Sequence, residues 1–134
     1  MVRWTLFIMA VGTSLTALAS VPEPYGEADM LPVQSIILSP GEVSRRTLNA
    51  PGLPPIFLIG DDPLSRNWLR ERYTTLQDLN AVGLVVNVST KAALDDLRQL
   101  VPALTLAPVS ADDLAQRLSL QHYPVLITAG AIEQ

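Results

Sequence analysis

From residue 56 onward, short unbroken apolar runs alternate with stretches in which apolar residues return every three or four positions. Ile56-Phe57-Leu58-Ile59 is too short for a helix and suits a buried strand, which Gly60 ends. Asp62 then predicts an N-cap with Pro63 at the first helical position, and Leu64, Trp68, Tyr73, Leu76 and Leu79 recur at helical spacing to about Asn80. Residues 83–88 are rich in β-branched side chains and predict a second buried strand. Ser89 or Thr90 caps a second helix, in which Ala93, Leu94, Leu97 and Val101 form an apolar stripe, and Pro102 marks its stop. A third strand is expected over residues 104–109. Ser110 comes next as an N-cap with Asp113 three residues on, opening a short helix that carries Leu114 and Leu118 one turn apart. Residues 124–128 predict a fourth strand, with a turn around Ala129-Gly130 and a return through Ile132 as an edge strand. The order is βαβαβαββ. Strands separated by such helices lie parallel through right-handed crossovers, and the last pair forms an antiparallel hairpin.

The first part of the chain is patterned differently. Arg3 gives a positive start, residues 4–11 are almost unbroken apolar sequence, and Ala17-Leu18-Ala19 before Ser20 has small side chains where a signal peptidase reads. Residues 1–19 are therefore expected to be a secretory signal that sends the protein to the periplasm, with no stable membrane insertion once it is cleaved. The alternative is an uncleaved anchor, and hydrophobic length separates the two. Residues 20–55 hold seven of the eleven prolines and read as an arm or linker. Within it, residues 33–38 predict a short strand, and Ser39-Pro40-Gly41-Glu42 a capping box that Gly41 weakens. Residues 56–134 form the folded domain. A chain of 134 residues, 49% hydrophobic and 16% charged, is expected to bury one core.

Charge removes some partners. Without Arg3 the chain carries 8 cationic against 13 acidic side chains, a formal charge of −5. The one tight cationic cluster, Arg66, Arg70 and Arg72, is interleaved with Glu71 on a predicted helix. Direct nucleic-acid binding, which needs clustered cations against phosphates, is not expected. There is no cysteine, so stability has to come from packing, and thiol chemistry is excluded by composition.

The element order, with Gln121-His122-Tyr123-Pro124 before an apolar strand, resembles the thioredoxin fold. The expected class is a three-layer α/β sandwich with a mixed sheet of four to five strands, lacking the Cys-x-x-Cys motif. The resemblance implies a cis Tyr123-Pro124 bond; without it, the general rarity of cis bonds favours an ordinary trans proline at a strand start. It also places the missing motif at Ser89-Thr90-Lys91-Ala92, where capping explains both hydroxyls and no base adjoins them. Related folds bind extended polypeptide beside this proline, so His122, Tyr123, Pro124, Ser89 and Thr90 are the candidate partner-binding residues, working by main-chain hydrogen bonds. The plainer account is that Tyr123 packs on the domain edge with its hydroxyl wet.

Other candidates have structural explanations. Asp61-Asp62 and Asp112-Asp113 lie at predicted helix N-termini, and Asp95 lies one turn from Lys91. No ligand loop accompanies them, and His122 is the only histidine, so no metal or other cofactor is expected. No catalytic constellation stands out, and a hydrolase would need a nucleophile beside His122.

Three strings, FLIGDDPLSRNWLRERYTTL (57–76), AVGLVVNV (81–88) and HYPVLITAGAIEQ (122–134), resemble a family of exported proteins encoded on integrating conjugative elements. The resemblance implies a non-catalytic periplasmic component of a conjugative type IV secretion apparatus, with other apparatus proteins or a pilin as partners. A peptide-binding chaperone for a pilin or secreted subunit is the other reading. Stable recovery with envelope components would mark the first, transient capture of one substrate the second.

Overall fold

The computed structural model describes residues 26–134, so the expected signal over residues 1–19 and the first residues of the arm lie outside it. A short 3-10 turn, Glu27–Met30, comes first. After it come β1 (Ser39–Pro40), β2 (Arg46–Thr47), β3 (Ile56–Gly60), α1 (Pro63–Asp78), β4 (Val82–Asn87) and α2 (Lys91–Leu100). The chain ends with β5 (Thr105–Pro108), α3 (Asp112–Leu118), β6 (His122–Tyr123), β7 (Val125–Ile127) and β8 (Ala131–Glu133). Six strands make one mixed sheet in the order β2-β8-β7-β3-β4-β5, and β1 with β6 makes a separate pair. β3, β4 and β5 are parallel, while β7 runs antiparallel to β3 and β8 antiparallel to β7. The domain is a thioredoxin-like α/β sandwich without cysteine. Its sheet is wider than the four to five strands expected, because β2 pairs with β8 and takes the edge position foreseen for Ile132.

Alternation along the strands sorts side chains into two cores, since successive residues of a strand face opposite sides. Phe57, Ile59, Val85 and Leu126 pack with Trp68, Leu69 and Leu76 of α1 and Leu94 and Leu97 of α2. Leu58, Val86, Val125 and Ile127 pack on the other face with Ala115 of α3 and Leu38 of the arm. Each Val, Leu, Ile or Phe among them, once fully buried, stabilises the fold by about 1.5–3 kcal/mol. Phe57 and Trp68 add a tilted aromatic pair, with centroids 5.9 Å apart.

Several local expectations are corrected. The buried stripe of α1 runs through Ser65, Trp68, Leu69 and Leu76, leaving Leu64 and Leu79 exposed. Ser65 turns inward because its hydroxyl is used twice: it donates to Asp62 Oδ1 (2.7 Å) and accepts the Gly60 N–H (3.0 Å). Asp62 caps α1 as expected, accepting the Ser65 N–H, and Thr90 caps α2. Ser110 does not cap α3. Its N-cap is Ala111, whose own N–H is taken by the Ser35 hydroxyl of the arm.

The arm is built otherwise than its sequence suggested. Residues 33–38 form no strand beyond a single bridge between Val33 and Val88, because the N–H groups of Ile36 and Ile37 both turn to the Asp112 carboxylate and leave Ile36 90% exposed. Residues 39–42 start no helix: Ser39–Pro40 is extended and pairs with His122–Tyr123. Among the described residues no helix is long and apolar enough to cross a membrane.

Candidate functional site

In open α/β sheets the crevice beyond the carboxyl ends of the parallel strands is where ligands bind. Here that end of β3 and β4 is crossed by the chain's own arm. Val33 and Val88, just past β4, exchange both backbone hydrogen bonds (2.9 and 3.0 Å). Ser35 is buried, its N–H donating to Asn87 Oδ1 (2.7 Å) and its hydroxyl to the Val86 carbonyl (2.8 Å) while accepting from Ala111 N–H (3.0 Å). Leu38 is buried against the second core. Then Ser39 N–H donates to the Gln121 carbonyl (3.1 Å) and Gly41 N–H to the Tyr123 carbonyl (3.0 Å), in a parallel register. The Gln134 amide closes the arrangement by donating to the carbonyls of Gly41 (2.8 Å) and Pro124 (2.9 Å).

The Tyr123-Pro124 bond is cis, and Pro124 is buried. Because β6 is extended, its two side chains point to opposite sides. Tyr123 lies against Gly60, where an added Cβ would stand 2.5 Å from the ring. Its hydroxyl accepts from Asn87 Nδ2 (3.0 Å), so the phenol is hydrogen-bonded inside the fold and not a wet edge group. Burial pushes this hydroxyl above the ordinary tyrosine range; the Asn87 hydrogen bond opposes that shift and the Asp62 charge adds to it. A cleft of about 180 Å³ remains here, lined by Gln34, Asp61, Asn87, Ser89 and Tyr123 among others.

His122 faces the other way. It packs on Gly41, where a Cβ would stand 2.7 Å from Nδ1, and it lines a shallow groove of about 310 Å³ with Glu42, Arg46, Ser119 and Gln121. Ser39 Oγ lies 3.1 Å from His122 Nδ1, a hydroxyl beside an imidazole where the sequence pattern suggested only a helix cap. The same nitrogen lies 3.3 Å from the Ser39 carbonyl, which can only accept. With the proton on Nδ1 the ring donates to the Ser39 carbonyl, and with it on Nε2 the Ser39 hydroxyl donates to the ring; in either tautomer the pair ties the arm to β6.

The five residues singled out in the sequence therefore divide. Tyr123 and Ser89 share one cleft, His122 lines another, Pro124 is buried between them, and Thr90 is spent on capping α2. The sheet order also moves the site of the missing motif. β3 and not β4 neighbours β7, so the helix N-terminus beside Tyr123 and Pro124 is that of α1, where Asp61-Asp62-Pro63-Leu64 stand, instead of residues 89–92. Ser35, Asn87 and Gln134 carried no motif, and Asp112 was readable only as a helix N-terminal acid, not as the partner of the arm. A lone amide ending the apolar run at Asn87 was the one visible sign. Of the acidic pairs, Asp62 caps α1, Asp61 pairs with Arg66, Asp95 with Lys91 (2.9 Å), and Asp112 holds the arm. Among the described residues no group of three or more such side chains could hold a metal ion.

Compared with known proteins, the chain matches a family model described as Protein of unknown function (DUF2859) over residues 12–132. No curated protein and no solved structure matches it.

Proposed function

The chain belongs to that family, a premise that fixes no activity, and we propose that it acts by protein–protein contact as a non-catalytic periplasmic component of the conjugative type IV secretion apparatus of an integrating conjugative element. The observation that carries the contact reading is the edge of β6, which already receives an extended segment through the carbonyls of Gln121 and Tyr123. Main-chain pairing of this kind needs no reactive group and confers affinity through backbone hydrogen bonds, with side-chain sockets adding selectivity. Export is supported by Arg3, the apolar residues 4–11 and the small residues at Ala17 and Ala19. The conjugative setting is supported by the strings at residues 57–76, 81–88 and 122–134.

The test is deletion in the host element, with pilus assembly and DNA transfer scored separately. Transfer is expected to fall and to be restored by a copy carrying Ser39→Ala, with the protein recovered alongside envelope components. Transfer unaffected by the deletion overturns the setting. A Ser39→Ala copy that fails like the deletion overturns the non-catalytic role, and transient capture of a single secreted subunit replaces the component reading with the chaperone one.

A further inference from the structure

We infer that the arm is a built-in occupant of the partner-binding groove, and that the partner is an extended segment of another protein which replaces residues 33–41 while repeating their chemistry. The inference rests on the proposed contact role and names what that site takes. The groove is a complete socket: the Val86 carbonyl and Ala111 N–H face one hydroxyl, the Asn87 side chain faces backbone, and the Gln121 and Tyr123 carbonyls face two N–H groups. Emptied, it would leave buried donors and acceptors unpaired. The open form, in which only water pairs these groups, is therefore a minor one, and a strand-like occupant is favoured. The arm itself shows the required pattern, an apolar residue at the Val33 position, a hydroxyl two residues on, an apolar residue three further on, and an extended Ser-Pro-Gly to pair with β6.

Three features mark this occupant as replaceable. Its pairing with β6 spans two residues. Residues 42–45, which join the arm to β2, make no backbone hydrogen bond to the body among the described residues and are held through the packing of Val43 and an exposed Arg45–Glu133 pair. Finally, Ile36 and Ile37 present adjacent apolar side chains to solvent, Ile36 being 90% exposed, so the middle of the arm adds little burial to the body.

The chain has no cysteine, so a single engineered pair reads cleanly. Val33 and Val88 form a hydrogen-bonded antiparallel pair, whose Cα separation of about 5.5 Å suits a disulfide. The probe is a synthetic peptide of residues 31–42, titrated against the full chain carrying Val33→Cys and Val88→Cys. The reduced protein is expected to bind it weakly, since the tethered arm competes at an effective concentration of about millimolar. The oxidised protein is expected to bind at least about ten-fold more weakly, because locking removes the competent population. Reductant should restore binding. In the unmodified chain the peptide should speed amide exchange at Val33 and Gly41, a readout that holds even if the double variant fails to fold.

Equal binding to both redox forms, or unchanged exchange at Val33 and Gly41, overturns the inference. A disulfide formed between separate Val33→Cys and Val88→Cys chains would make the occupant a second copy, and overturns the choice of partner. Envelope components captured equally by the oxidised and reduced chains would leave the proposed function standing and remove this inference alone.

Discussion

At Gly60 a missing side chain is what brings Tyr123 onto the end of β3. Alanine there would place a Cβ 2.5 Å from the ring of a buried tyrosine, so one of the two must shift. Gly60→Ala is expected to lower unfolding stability by about 1–3 kcal/mol, read from the denaturant midpoint. Ser35→Ala removes one hydroxyl but strands two buried partners, the Val86 carbonyl and Ala111 N–H, and is expected to weaken docking of the arm by about 1–3 kcal/mol, read as faster amide exchange at Val33 and Gly41. Tyr123 and Ser89 could be singled out as candidates because they flank a proline and a helix start. Ser35 could not, since its hydroxyl bonds a carbonyl 51 positions away and nothing local announces such a partner.

At the scale of elements, the strands and helices after residue 56 were readable because burial on a sheet or helix leaves a period in the chain. The helix faces were less so: α1 turned Ser65 inward and Leu64 outward because the Asp62 cap sets its starting angle. The Glu27–Met30 turn is held to α2 by a two-pronged pair between Glu27 and Arg98, and Arg98 also donates to the Leu106 carbonyl of β5 (2.8 Å). The Arg98 hydrogen bond holds the Glu27 carboxyl below its ordinary range, and the same contact raises the guanidinium. A carboxyl lowered on folding stabilises fully above the unfolded pKa and loses that contribution as pH falls through the folded one. Glu27→Gln is therefore expected to unfold earlier than the unaltered chain above about pH 5, by up to about 1 kcal/mol for a pair one-third exposed, with the two curves converging in acid.

For the whole molecule, the question is how tightly the arm belongs to the body. A Val33–Val88 disulfide would close a loop of roughly 55 residues and stabilise by up to about 4 kcal/mol if the arm leaves only on global unfolding. Oxidised and reduced double variants compared by thermal melting are expected to differ by less than this, because an arm that detaches locally gives the crosslink little of the global transition to act on. The chain alone determined the absence of thiol chemistry, the alternation of strands and helices, and the proline that ends β6, because composition and short-range periodicity carry those facts. Only the tertiary structure decided that β7 lies beside β3, that a proline-rich arm fills the crevice, and that His122 and Tyr123 serve opposite faces. Those outcomes depend on pairings between distant residues, which become defined only when the sheet closes and its unpaired carbonyls and N–H groups choose among the partners within reach.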